Sequence, residues 1–196
     1  MVELTDRFTE ALVYATRLHA GQGRKGNTPY VGHLLAVTAL VLEDGGDEDE
    51  AIAGLLHDAV EEQGGMPRLV DIRLKFGDRV AAIVASCTES ETLPKPSWQQ
   101  RKERYIEQMQ HADVGTVRVS LADKIDGVRS MLALLNREGE LAWGYFKGGR
   151  DRTLWFYREL IEVYRTKDVG GMVDELARLV GELEGGQSEN GFGSAK

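Results

Sequence analysis

Apolar residues recur along most of this chain at steps of three and four, the spacing that puts them on one face of an α-helix. Phe8, Leu12, Ala15 and His19 form the first such face, predicting a helix from about Thr5 to Ala20 with Thr5 as its N-cap. Gly21, Gly23, Gly26 and Pro29 break the pattern and predict a loop. His33, Val37, Leu40 and Val41 share the next face, which Gly45 and Gly46 close. The acidic run from Asp47 to Glu50 suits the positive end of a third helix, which carries Ile52, Leu55, Leu56 and Ala59 inward and is expected to continue to Gly64 and Gly65. Shorter helices are expected over Pro67 to Phe76 and Asp78 to Cys87, then a proline-bearing loop from Thr92 to Ser97. Ser97 caps a charged helix through about Gln110. A long helix from about Val114 to Asn136 has Val117, Leu121, Ile125, Val128, Leu132 and Leu135 on its expected buried side. Two more helices fit around Arg150 to Thr166 and Gly171 to Glu184. No alternating strand pattern or repeat stands out. The fold class is all-α, with one domain over 1–184 and a glycine-rich polar segment over 185–196 that reads as a disordered tail.

Charge narrows the partners. With 24 basic and 32 acidic residues the formal net charge is -8, which disfavours nucleic-acid backbones and anionic membranes. No apolar run approaches the roughly 20 residues that span a bilayer, and the N-terminus lacks an apolar signal core. Cys87 is the single cysteine, so no intrachain disulfide forms. It sits in an apolar run and reads as a buried structural thiol. These features predict a soluble, cytoplasmic protein. An acidic chain that binds a phosphorylated molecule must gather its cations in one place, and Arg24-Lys25 on the glycine-punctuated loop is such a place.

The candidate chemistry centres on His57-Asp58, an imidazole and a carboxylate at the end of an otherwise apolar helix. Neighbouring helical residues diverge by about 100°, so the pair can grip one ion only from the edge of the buried face. Glu61 and Glu62 follow one turn later. His33 heads the apolar stripe of the preceding helix. Asp123 faces away from its buried neighbours Leu121 and Ile125, together with Gly127 and Ser130. Two imidazoles and two carboxylates make a mixed nitrogen and oxygen site with positions left for water and substrate. Each residue also has a plainer reading: His19 reads as a core histidine, Asp123 alone could pair with Lys124 or Arg129, and Glu61-Glu62 alone would be a solvated helix end.

The string from Leu55 to Glu62 resembles the second motif of the HD superfamily, in the form carried by RelA/SpoT-type alarmone hydrolases. The segment Gly21 to Gly26, with Pro29-Tyr30 and His33-Leu34, is similar to the first motif, and Leu121-Ala122-Asp123-Lys124 to the third. The stretches Trp98 to Tyr105 and Leu154 to Arg158 also resemble stand-alone bacterial members, so the likeness spans roughly Leu4 to Arg165. It implies a helical HD bundle with a divalent metal, manganese in this branch, on His33, His57, Asp58 and Asp123. It also implies Glu61 and Glu62 as proton-handling residues and Arg24 and Lys25 in the nucleotide pocket; Lys124, Arg129 and Ser130 are further candidates for substrate contact. The implied reaction removes the 3′-pyrophosphate from (p)ppGpp or ppApp. Three positions depart from the pattern: Glu62 where Asp is usual, Asp126 where His is frequent, and Gly127 where alarmone hydrolases carry Asn. The last would relax the nucleotide pocket, which keeps open a phosphatase of NADPH or other nucleotides, and beyond it a non-catalytic nucleotide-binding protein. Trp155, Phe156 and Tyr157 could stack a base but read as core or as a surface between copies, so a homo-oligomer is kept among the expectations.

Overall fold

The computed structural model describes residues 2–90 and 94–185. Ten α-helices follow one another among these residues: α1 Asp6–Leu18, α2 Tyr30–Glu43, α3 Glu48–Leu56, α4 Ala59–Glu62, α5 Gly65–Phe76, α6 Asp78–Cys87, α7 Trp98–His111, α8 Val114–Glu138, α9 Gly149–Tyr164 and α10 Met172–Gly185. A 3₁₀ segment, Gly139–Tyr145, turns the chain from α8 into α9; the sequence pattern gave no sign of it. Among the described residues the one β-type feature is an isolated bridge between Gly23 and Pro29, which pinches the loop before α2.

Four of the described helices start on a side-chain cap, α1, α3, α7 and α8. Thr5 accepts from the backbone of Arg7, Asp47 from Glu50, and Asp113 from Thr116. Ser97 and Gln100 form a reciprocal capping box at the head of α7. The Thr5 backbone and hydroxyl also donate to Glu48, tying the start of α1 to the start of α3.

α8 is the spine of the bundle, packed by α2, α3, α6 and α10. Its fully buried residues Val117, Leu121, Ile125 and Val128 are those the periodicity predicted. Toward its end the buried positions are Met131 and Leu134 instead, while Leu132 and Leu135 are only partly covered. Besides α2 and α3, α10 and the 3₁₀ segment also pack on α8.

α2 and α3 approach closely because Gly54 has no side chain. A Cβ there would lie 3.2 Å from Thr38 Oγ1 and 3.3 Å from Thr38 Cα. This contact sets His33 on α2 against His57 at the end of α3. The expected continuous helix through Glu62 is broken at that point. α3 ends at Leu56, the His57 ring takes the Gly54 carbonyl, and Asp58 drifts to ψ -4 before α4 begins.

The loop expected over Thr92 to Ser97 is described from Pro94 onward, where it has no regular structure. The expected tail lies outside the described residues from 186 on, and Gly185 closes α10. Among the described residues no helix is long and apolar enough to cross a membrane.

Candidate metal centre and cavity

His33 and His57 are buried, with 4% and 2% exposure, and their Nε2 atoms face each other at 3.2 Å. Asp58 Oδ2 stands 3.4 Å from His33 Nε2 and 3.3 Å from His57 Nε2. Ligand atoms of these three residues all lie within 4.8 Å of one another. Asp123 Oδ1, from the middle of α8, comes to 3.4 Å from His33 Nε2 and 3.7 Å from His57 Nε2. All four expected ligands therefore converge: His33 from α2, His57 and Asp58 from the end of α3, and Asp123 from the spine helix.

The chemistry of the donors fits a divalent ion. His33 Nδ1 pairs with Asp126 Oδ2 at 2.6 Å, and His57 Nδ1 with the Gly54 carbonyl at 2.8 Å. With both Nδ1 atoms engaged, both Nε2 atoms point into the cluster as the ligating nitrogens, the arrangement by which outer partners fix imidazoles at metal sites. Without an ion the cluster holds protons instead. Burial opposes charge on His33, but its hydrogen bonds to Asp123, Asp126 and Asp58 overcome it and push its pKa up to about 11. His57 is likewise pushed up to about 9, its burial outweighed by the charge and hydrogen bond of Asp58 and the hydrogen bond to Asp123. In return, and despite their burial, both carboxylates stay well below the usual range. For Asp58 the nearby imidazoles hold it down; for Asp123 it is Lys124 first and then the imidazoles.

Tyr30, the first residue of α2, donates its hydroxyl to Asp58 Oδ2 and stacks on the His19 ring at a centroid distance of 4.9 Å. His19 is buried as expected of a core histidine. Its Nδ1 binds Gln22 Oε1, while Nε2 has no partner among the described residues. Cys87 is only partly buried, packed against the core, and desolvation raises its thiol pKa.

Beside the cluster opens a cavity of about 530 Å³, lined in part by Asp123, Glu62, Arg24, Lys25, Gly127 and Ser130. A slightly larger cleft of about 590 Å³ lies between α1 and α5, against Val13, Tyr14 and Arg68, but none of the converging ligands reaches it. The chemistry belongs to the first. Six cations line that cavity (Arg24, Lys25, Arg101, Lys102, Lys124 and Lys147) against two carboxylates, Glu62 and Asp123, in a chain whose net charge is -8. Lys25 sits over the Phe146 ring at 4.0 Å, and burial lowers its pKa. Arg101 and Lys102 are both held by Glu89. Lys124 donates to Asp123 Oδ2 at 2.6 Å and is itself buried.

Several expectations need correcting. Arg129 does not reach the cavity. It is exposed on the opposite flank of α8, where its guanidinium pairs with Glu175 Oε1 of α10 at 2.6 Å. Two residues beyond Gly127, it is turned about 200° away around the helix. Glu61 and Glu62 part company after the break at Asp58. Glu61 accepts from Lys95 at 2.8 Å and from the Glu89 backbone, whereas Glu62 faces the cavity and accepts from Gln22. Burial, with the charges of Asp58 and Glu61, raises the Glu62 pKa.

Sequence reasoning missed Arg101, Lys102 and Lys147, and it gave Asp126 no role. The signal for the first two was present in the run Gln100-Arg101-Lys102, though a charged helix face reads equally as solvated surface. Asp126 Oδ2 accepts from His33 Nδ1 and also from Arg24 Nη1 at 2.7 Å, so one oxygen fixes a ligating imidazole and a cavity cation together. Arg24 also donates to Ser130 Oγ at 3.1 Å. Asp126→Ala is therefore expected to weaken divalent-metal binding about 10- to 100-fold, the usual cost of losing such an outer partner. Calorimetric titration with manganese checks this, and unchanged affinity would remove Asp126 from the site.

The sequence pattern of the HD domain family matches residues 11–143. Human guanosine-3′,5′-bis(diphosphate) 3′-pyrophosphohydrolase MESH1 is 36% identical over 126 residues, 62% of this chain and 68% of the human one. A solved structure of a metazoan orthologue of SpoT, a protein that hydrolyses ppGpp and plays a role in starvation responses, superimposes with a TM-score of 0.77. The two are 25% identical, and the match covers 93% of this chain and 98% of the other. A crystal structure of a Listeria monocytogenes EGD-e protein, 36% identical, matches with a TM-score of 0.68 over 79% of this chain and 97% of its own.

Proposed function

The chain belongs to the HD domain family, and we propose that it is a metal-dependent pyrophosphohydrolase that removes the 3′-pyrophosphate from an alarmone, (p)ppGpp or ppApp. One observation carries this reading: His33, His57, Asp58 and Asp123 converge at the edge of a cavity lined by six cations and two carboxylates. A substrate with pyrophosphate groups at two positions needs its charge met at both ends, and a cavity of about 530 Å³ lies within the range that takes a small ligand. The named activities of the human relative and of the metazoan SpoT orthologue support the same reading.

His33, His57, Asp58 and Asp123 would hold the ion, and manganese suits two imidazoles with two carboxylates. When bound, such an ion acts as a Lewis acid on phosphoryl oxygens and lowers the pKa of water. The chain's own residues do the rest. In the net reaction water supplies a new bond to the phosphorus on the 3′-oxygen, the bond from that phosphorus to the 3′-oxygen breaks, and the oxygen leaves with a proton. Glu62, raised in pKa and facing the cavity, is placed to carry that proton, and Glu61 orients its surroundings through Lys95. Lys25 and Lys147 make no ion pair among the described residues and are ready for phosphate oxygens. Arg24 and Ser130, already bonded to each other, and Lys124 form the wall nearest the ligand cluster.

Pyrophosphate release from ppGpp and ppApp tests the reading. Activity is expected to vanish on chelation and to return with manganese; release that persists in metal-free protein would sink it. A second expectation concerns acidity. An ion must displace the protons that keep His33 and His57 charged below their raised pKa values, so affinity falls as pH drops below about 9. Manganese titrations at about pH 6.5 and about pH 8.5 are expected to show tighter binding, with proton release, at the higher value.

A further inference from the structure

Gly127 lies on α8 one turn, about 6 Å, beyond Asp123 and lines the same cavity. Its backbone is ordinary helix, so no positive φ demands glycine there, and glycine weakens a helix interior relative to alanine. What its missing side chain provides is space. A Cβ at this position would meet one atom among the described residues within 4 Å, the Tyr157 hydroxyl oxygen at 3.3 Å.

Tyr157 is buried by its ring, which packs against Phe156 at a centroid distance of 5.7 Å. Its hydroxyl differs from those of the other two tyrosines in this part of the core. Tyr105 and Tyr164 both bond Ser120 Oγ, at 2.6 and 2.7 Å, and are used up there. The Tyr157 hydroxyl makes no hydrogen bond among the described residues, is not a sealed buried atom, and belongs to a residue of the cavity wall. An anchored aromatic body with a free donor and acceptor at its tip is a recognition group.

We propose that Tyr157, seated in the space left by Gly127, reads the sugar of the substrate by hydrogen bonding to the ribose 2′-hydroxyl. This rests on the pyrophosphohydrolase reading. With the phosphorus on the 3′-oxygen held at the Asp123 end of the cavity, the vicinal 2′-hydroxyl lies one short step from the bond that breaks. Tyr157 Oη stands against Gly127, one helical turn from Asp123. A 2′-hydroxyl both donates and accepts, as does the tyrosine. The pair therefore selects ribonucleotides over deoxyribonucleotides.

The test compares the manganese-loaded full chain with Tyr157→Phe and Gly127→Ala. The parent is expected to show a KM for ppGpp about tenfold below that for its 2′-deoxy form, the worth of one neutral hydrogen bond, with kcat little changed. Tyr157→Phe removes the hydroxyl, and Gly127→Ala crowds it. Both variants are expected to treat the two substrates alike, and Gly127→Ala to melt no earlier than the parent. A parent indifferent to the 2′-hydroxyl, or a Tyr157→Phe variant that keeps the preference, overturns the proposal. Calorimetric binding of GDP and 2′-deoxy-GDP reads the same discrimination without turnover. A chain that releases no pyrophosphate yet loses its ribose preference in Tyr157→Phe contradicts the hydrolase reading while leaving this one standing.

Discussion

Asp123→Asn is expected to lower pyrophosphate release by on the order of 10³-fold while leaving the helical content unchanged. The amide keeps the shape of the side chain but loses the charge that sits 3.4 Å from His33 Nε2 and 3.7 Å from His57 Nε2. Asn rather than Ala is the informative change, because Asp123 also holds the buried Lys124 ammonium. Removing that partner outright would leave a buried charge unpaired and confuse lost folding with lost chemistry. The amide oxygen still accepts from Lys124, so circular dichroism is expected to show a folded variant. Manganese affinity is expected to fall with the activity. A variant within tenfold of the parent would place Asp123 outside the reacting centre.

Glu62→Gln is expected to cost 10²- to 10⁴-fold in kcat, the usual range for a general acid or base. Glu61→Gln is expected to cost less, since Glu61 is turned toward Lys95 and Glu89 and away from the cavity. The pH profile separates the two. Burial and the charges of Asp58 and Glu61 raise the Glu62 pKa, so its protonated form persists to higher pH than an ordinary glutamate's. An acid must be protonated to act, and kcat in the parent therefore declines as pH rises through that raised value. Glu62→Gln is expected to lose this limb. A variant that keeps the limb assigns it to another group.

The helices were legible in the sequence because each rests on local spacing, and spacing also offered the four converging side chains as candidates. Val117, Leu121, Ile125 and Val128 mark the buried stripe of α8, and Asp123 stands off it. The motif resemblance then paired His57-Asp58 with His33, which no periodicity could do. What stayed hidden depends on tertiary contact. The break after Leu56 comes from the His57 ring taking the Gly54 carbonyl and from the close approach to Thr38. The burial of Met131 and Leu134 in place of Leu132 and Leu135 depends on elements distant in sequence packing on α8. Arg129 reads as a site cation in one dimension, yet Glu175 holds it on the outer flank. Asp126 looked like a stray carboxylate until His33 and Arg24 were found on the same oxygen. The cation wall was legible only in its Arg24-Lys25 part, because Arg101 and Lys102 reach the cavity from a helix more than seventy residues away.

Hydrolysis of ppGpp by the manganese-loaded chain in oxygen-18 water, with mass spectrometry of both products, tests the central claim most directly. The account expects pyrophosphate carrying one labelled oxygen and GDP with an unlabelled 3′-hydroxyl, both lost in Asp123→Asn. Release of monophosphate instead of pyrophosphate, or no turnover by protein that demonstrably holds manganese, would contradict it.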